Sequence, residues 1–253
     1  MKLVKIAAIA ALGSCVAACG GNGDDDAHTG RTTAPAGTTT YPMVTPKVGA
    51  TQAFVTIKVD DSGNTIAGTY TERVVSANAD GSYAIQESDP GGTVETVNGL
   101  TYRVNPALSN FDTDGHVASE TITLANGNTQ NCTYITMSGE FSPHPYWVGE
   151  DWQATRQESC TPGTVESIAE HGSIQSLESV TVPAGTFTAL KSTTVETWTD
   201  ANGQNITETV VHWSDPAYSM FTIKTVITYA RSGKVPTHYV TTSTVELQSR
   251  SGG

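Results

Sequence analysis

Short glycine-containing turns divide most of this chain into brief stretches in which apolar and polar residues alternate. Residues 53–59 show the alternation clearly, and the stretch ends in a turn at 60–64. Asn-Gly and Asp-Gly pairs supply the positive φ that tight hairpins need. The pattern therefore predicts consecutive antiparallel strands that pair with their chain neighbours. The further turn signals lie at residues 79–81, 98–99, 112–115, 125–127, 161–163, 200–203 and 231–233.

Residue usage supports the same fold class. The chain has 40 threonines and 23 valines but only 8 leucines, and branched side chains fit a pleated sheet better than a helix. We therefore expect an all-β protein whose single antiparallel meander forms one domain at residues 49–249. About 200 residues are enough to bury a substantial core.

The N-terminus has the pattern of an export signal. Two lysines precede an apolar run that is too short to span a bilayer stably, so residues 1–18 are predicted to be a signal peptide. Val16-Ala17-Ala18-Cys19 resembles the lipobox of bacterial lipoproteins, in which the cysteine becomes acylated. Cys15 is a second candidate, and a disulfide at Cys19 is the other alternative.

Acylation at Cys19 predicts that the membrane is a partner, reached through the lipid anchor. Several acyl chains give lasting attachment, since each buried methylene adds about 0.8 kcal/mol. The residue after Cys19 is Gly20 and not the aspartate that resembles an inner-membrane retention signal. The expected location is therefore the outer membrane of the cell envelope. Residues 19–48 are rich in Gly, Asp, Thr and Pro, which predicts a flexible tether.

Two cysteines remain in the predicted exported domain, Cys132 and Cys160. In an oxidising compartment they are expected to form a disulfide. A metal-binding or catalytic role is the alternative, but neither residue lies in a CxxC motif or next to a histidine.

The balance of charge is acidic, with 25 Asp and Glu against 13 Lys and Arg. Such a surface repels phosphate backbones, which argues against a nucleic-acid partner.

The stretch VTVPAGTFTALK at residues 180–191 admits two interpretations. Phosphate-binding loops need several glycines and a following helix, whereas this stretch is followed by a predicted strand. Pro183 presets φ for a turn and Gly185 can adopt positive φ, so a hairpin turn is predicted.

The same stretch carries a resemblance. Val148-Gly149-Glu150-Asp151-Trp152, the VPAGTF hairpin and Trp213-Ser214-Asp215-Pro216 resemble a group of bacterial lipoproteins with a β domain of unknown function. That resemblance implies a strongly curved sheet or half-barrel like those of lipoprotein carriers, and it supplies no catalytic residues. The chain departs from the group's pattern at Ser219 and Thr222.

One aromatic stretch, SPHPYWVGEDW at residues 142–152, is a candidate ligand site. Tyr146, Trp147 and Trp152 could stack on a sugar or line an apolar groove. The alternative is that the three rings pack over a sheet edge.

The histidines suggest little chemistry. His212 and His238 lie on predicted strands and could face Glu196 or Glu208, as paired surface side chains or as part of a three-ligand metal site.

No catalytic motif, phosphate loop or dinucleotide fingerprint occurs in the sequence. We therefore expect no cofactor, no metal and no enzymatic activity. The expected function is a non-catalytic envelope binding or assembly module, with a lipid, glycan or peptide on a concave sheet face. The alternatives are a purely structural or surface-interaction lipoprotein and an unrecognised hydrolase. The sequence does not specify a protein partner.

Overall fold

The protein is described by a computed structural model covering residues 33–88, 94–97, 100–103, 107–123, 128–141, 145–161, 163, 165–200, 203–217, 221–233 and 239–252. All regular elements in these ranges are β-strands. They are β1 (Thr51–Asp60), β2 (Thr65–Ala77), β3 (Tyr83–Ser88), β4 (Val94–Val97), β5 (Leu100–Arg103), β6 (Ala107–Phe111), β7 (Val117–Thr123), β8 (Thr129–Glu140), β9 (Asp151–Thr161), β10 (Val165–Val182), β11 (Gly185–Thr199), β12 (Asn205–Asp215), β13 (Phe221–Ser232) and β14 (Val240–Ser251).

Twelve of these strands form one closed barrel. Each strand pairs antiparallel with its chain neighbour, except that β3 pairs with β6 because β4 and β5 form a separate two-stranded hairpin between them. The prediction of an all-β antiparallel meander is therefore confirmed.

The expectation of an open half-barrel is wrong for this chain. Strand β1 pairs with β14 from Thr51–Ser251 to Asp60–Val240, so the first and last strands join. Right-handed twist and strand tilt bring the two ends of a long sheet together, and closure satisfies the hydrogen-bonding groups that free edges would expose.

Alternating side chains point into the barrel, and apolar clusters fill part of the interior. One cluster joins β1, β2, β10, β11, β13 and β14 through buried residues that include Phe54, Ile223 and Leu247. Another joins β2, β3, β6 and β7 through Val74, Ile85 and other residues. Burying each such side chain contributes about 1.5–3 kcal/mol.

The VPAGTF sequence is a hairpin turn, as predicted. Val182 pairs with Gly185 across the loop of Pro183 and Ala184, and Gly185 has a φ of +131°. Ala184 N donates to Leu247 O at 3.0 Å. Because β10 and β14 are not neighbours in the barrel, the β10–β11 hairpin crosses the end of the barrel at which β14 finishes. The turn thus covers part of the core instead of holding a phosphate.

The segment before the barrel is described from residue 33. Tyr41 and Tyr146 exchange two backbone hydrogen bonds, at 2.8 and 3.0 Å, and Met43 packs against the cluster that contains Val74. Residues 1–32, which include the predicted signal peptide, Cys19 and the start of the predicted tether, lie outside the described residues.

The predicted disulfide is present between Cys132 and Cys160. The two residues are directly opposite each other on β8 and β9, and both are buried. The bond therefore joins two strands already paired in the barrel.

Replacing both residues, as Cys132→Ala with Cys160→Ala, should lower the free energy of unfolding by about 3 kcal/mol, because the bridge restricts the unfolded chain. Urea denaturation of both proteins, without reductant, measures the change. Reductant should destabilise the unmodified protein by a similar amount and leave the double variant unaffected. An unchanged midpoint in all these conditions would contradict the stabilising role of the bridge.

Candidate functional site

Three glutamates lie side by side on the inner face of the barrel. Glu170 on β10 is opposite Glu196 on β11, and Glu196 is opposite Glu208 on β12. All three are buried. Neighbouring strands are about 4.8 Å apart, so the carboxyl groups form a continuous line, called here the glutamate row. Like charges directly opposite each other destabilise a sheet, so the row requires compensating contacts.

Arg156 provides one of these contacts. Its Nη2 donates to Glu196 Oε1 at 2.9 Å and to Glu196 Oε2 at 2.8 Å. Arg156 comes from β9, two strands away from Glu196, so its long side chain crosses over β10 to reach the centre of the row. Its guanidinium also lies 5.5 Å from the Tyr134 ring centroid, a cation–π distance.

Trp152 provides a contact at one end of the row. Its Nε1 donates to Glu170 Oε1 at 2.8 Å. The indole lies against the backbone of Gly172, where a β-carbon would overlap the ring. Gly172 weakens β10 as an isolated strand, but its missing side chain is what lets Trp152 reach Glu170.

Tyrosines complete the polar lining. Tyr229 forms a hydrogen bond with Glu208 at the other end of the row. Towards β7, the Tyr134 hydroxyl lies 2.7 Å from Glu120 Oε2 and 3.3 Å from Glu158 Oε1. The inner face of β7–β13 thus holds an extended network of carboxyl, hydroxyl, indole and guanidinium groups.

The carboxyl groups at the two ends of the row hold protons strongly. Burial raises the pKa of Glu170, and the neighbouring Glu196 raises it further. Burial and Glu196 raise the pKa of Glu208 in the same way. Near neutral pH, the carboxyl groups of the glutamate row can therefore lose their protons when another positively charged group binds beside them.

A second buried acidic pair lies on β2 and β3. Glu72 and Glu87 are directly opposite each other, and both are buried. Burial raises the pKa of Glu72 to about 8. This pair lies beside Val74 and Ile85, so it adjoins apolar packing.

The three aromatic residues predicted as ligand contacts are buried, with exposed fractions of 8% for Tyr146, 7% for Trp152 and 5% for Trp147. Tyr146 and Trp152 pack in one cluster with Ile174 and Leu190. All three rings are thus buried within the protein. Trp152 differs from the other two because its indole N–H donates a hydrogen bond to Glu170 in the glutamate row.

His212 is arranged differently from the sequence hypothesis. His212 Nε2 lies 3.2 Å from Thr222 Oγ1, and burial lowers its pKa to about 4, so the imidazole is neutral. Its register partners are Ser192 and Thr225, not Glu196 or Glu208. His238 lies outside the described residues.

One group in the described part of the chain brings three potential metal-ligating atoms together, namely Cys132, Glu158 and Cys160. The two sulfur atoms are joined in the disulfide, so they offer no thiolate to a metal ion. Among the described residues, no helix has the length and hydropathy needed to cross a membrane.

Comparisons with known proteins give two structural likenesses. No protein-family model matches this chain, and no curated protein matches it. A crystal structure of a predicted exported protein with a YmcC-like fold from Bacteroides fragilis is 10% identical. The superposition covers 84% of this chain and 100% of that protein's chain, with a TM-score of 0.43. A predicted lipoprotein from Parabacteroides distasonis is 13% identical and covers 83% of this chain and 99% of its own, with a TM-score of 0.44. The assignment of the fold rests on this chain's own strand pairing.

Sequence reasoning missed the glutamate row, although one signal for it was present. In β12, Ile206, Glu208 and Val210 alternate with threonine and valine and must share a face, and both apolar residues are buried. A charged residue between two buried apolar residues on one strand face indicates a buried polar site.

Glu72→Gln should raise the free energy of unfolding at pH 8 and change it little at pH 5. The folded protein holds this proton more tightly than the unfolded chain. Stability is therefore greatest below the pKa of the unfolded chain, near pH 4.5, and is lost as pH rises to about 8. Glutamine resembles the protonated carboxyl, so a gain of about 2–4 kcal/mol at pH 8 is expected.

Urea denaturation at the two pH values measures this gain. Glu178→Gln is the matched control, because Glu178 is only half-buried and its pKa is lowered by hydrogen bonds from Trp213 and Ser176. An equal gain from Glu72→Gln at both pH values would show that the carboxyl does not titrate as described.

Proposed function

We propose that this protein is a bacterial envelope lipoprotein that binds a small polar ligand inside its barrel without catalysing a reaction. The observation that carries the proposal is the glutamate row on the inner face of a closed barrel. Burying carboxyl groups is costly, and stability alone rarely favours such networks over well-packed apolar residues.

The size of the barrel supports binding. Eight-stranded barrels are filled by side chains or hold one small ligand, and the interior widens as strands are added. Twelve strands enclose a wider space. The polar lining of β7–β13 favours a polar ligand over the acyl chain that was one of the expected ligands.

The absence of catalysis is part of the proposal. The carboxyl groups of the row form hydrogen bonds with side chains on nearby strands, namely those of Arg156, Trp152 and Tyr229. These contacts orient acceptors towards the interior, as a binding site requires. The His212–Thr222 pair is fully enclosed, and its imidazole is neutral.

The envelope location is supported by the sequence. The lipobox at Val16–Cys19 supports acylation, and Gly20 supports the outer membrane. The resemblance to bacterial lipoproteins carried by the VPAGTF hairpin agrees with acylation. Attachment through Cys19 would hold the barrel at the membrane surface.

Cys19→Ser should abolish acylation and release the protein from the membrane. Expression of the full chain in a double-membraned bacterium, with palmitate labelling and membrane fractionation, tests this. Cys15→Ser is the matched control and should leave labelling unchanged. Labelling that survives Cys19→Ser but is lost in Cys15→Ser would move the anchor to Cys15.

Native mass spectrometry tests ligand binding. The mature chain carrying Cys19→Ser, purified gently from a bacterial host, should retain a small polar molecule. Glu208→Gln should lose this molecule, and Glu178→Gln should keep it. A mass equal to that of the bare chain, unchanged after incubation with host envelope extract, would favour the purely structural alternative.

A further inference from the structure

The charge inside the barrel points to the sign of the ligand's charge. The buried or half-buried carboxyl groups on the inner face of β7–β12 include those of Glu120, Glu158, Glu170, Glu196 and Glu208. Two guanidinium groups lie close to this set. Arg156 pairs with Glu196, and Arg231 is near enough to lower the pKa of Glu208. Carboxyl groups thus outnumber guanidiniums, and a ligand with positive charge would reduce their repulsion.

A separate observation shows that the site has hydrogen-bonding capacity to spare. Thr194 Oγ1 is fully buried and has no hydrogen-bond partner. Thr194 lies two residues from Glu196 on the same strand face, so its hydroxyl points to the same region. A buried polar atom left without a partner costs about 1–3 kcal/mol, which a ligand atom would recover.

The geometry also separates an organic cation from a metal ion. A metal ion needs several ligand atoms gathered about one point. Among the described residues, the glutamate row does not gather three such atoms, and the Cys132–Glu158–Cys160 group is the set that does. The carboxyl groups are instead spread across β10, β11 and β12, and the backbones of Glu170 and Glu208 are two strand spacings apart, about 10 Å. An alkyl chain with several methylene groups between its ammonium nitrogens can reach both carboxyl groups, whereas a single metal ion cannot.

Aromatic rings next to the row suit the carbon chain of such a ligand. Trp152 is fixed beside Glu170 by the hydrogen bond that its indole N–H donates, and Tyr229 is fixed beside Glu208 by a hydrogen bond. Aromatic faces attract ammonium groups and pack against methylenes. A ring at each end and carboxylates between them describe a site for a short alkylammonium chain.

We infer that the glutamate row binds a small organic cation, an alkyl amine with one or more ammonium groups. The ammonium groups donate to the carboxylates of Glu170 and Glu208, and Thr194 accepts a further hydrogen bond. Arg156 keeps Glu196 in place between them. This inference rests on the proposed ligand-binding function and names the chemical class of the ligand.

Isothermal titration calorimetry of the mature chain carrying Cys19→Ser, at pH 8, tests the inference. The probes are putrescine and spermidine, and butane-1,4-diol is the uncharged counterpart of putrescine. We expect binding of the amines and none of the diol. Glu170→Gln and Glu208→Gln should each weaken amine binding about tenfold or more, since each removes a charged acceptor. Glu178→Gln, on the same strand as Glu170, should bind like the unmodified chain.

Several results would overturn the inference. These are no binding of either amine, equal binding by the row variants and Glu178→Gln, or row-dependent binding of Ca²⁺, Mg²⁺ or Zn²⁺ without amine binding. Thermal melts of each variant establish that it is folded, and removing a buried charge should not lower the melting temperature. If amines fail to bind while native mass spectrometry shows a neutral ligand that Glu208→Gln loses, the cation class is wrong and the binding function stands. If neither an amine nor a neutral ligand binds, the cation class and the ligand-binding function are both wrong.

Discussion

The pairing of β1 with β14 is the constraint on which the rest of the structure depends. In an open sheet, the concave face would be in contact with water, and a row of glutamates there would be unremarkable. Closure removes that face from bulk solvent and leaves no unpaired edge in the twelve-stranded sheet. Inward side chains must then pack inside the barrel, and their polar groups need hydrogen-bond partners there, from the protein or from a ligand.

The interior meets this requirement in two ways. Phe54, Leu247 and their neighbours pack beneath the β10–β11 hairpin, where apolar burial stabilises the fold. Around the glutamate row, stability depends on hydrogen bonds and on protons held by buried carboxyl groups. The second arrangement is less favourable than apolar packing would be, and a bound cation would remove part of that cost. The strands that carry the glutamate row are therefore expected both to bind the ligand and to contribute less to the stability of the fold than the apolar part of the barrel.

Local features of the fold could be predicted from the sequence, because each depends on a few adjacent residues. The strands and turns follow from alternation and glycine placement, and the VPAGTF hairpin follows from Pro183 and Gly185. The Cys132–Cys160 bridge follows from there being two cysteines in the predicted exported domain. These inferences need no knowledge of distant contacts.

Closure and the site could not be predicted in the same way. Pairing of Thr51 with Ser251 joins the two ends of the domain, and no local pattern encodes it. The glutamate row depends on register across three strands, since a shift of one residue would turn Glu196 outwards. The role of Gly172, which is to make room for Trp152, likewise depends on a contact with the neighbouring strand β9.

Dipolar coupling between spin labels at Ile57→Cys and Thr244→Cys, in the mature chain carrying Cys19→Ser, tests closure most directly. These positions are partners on β1 and β14, so their separation should match that of a control pair at Ile57→Cys and Ala67→Cys on β1 and β2. A clearly longer separation for the first pair would mean an open sheet and would contradict the enclosed site.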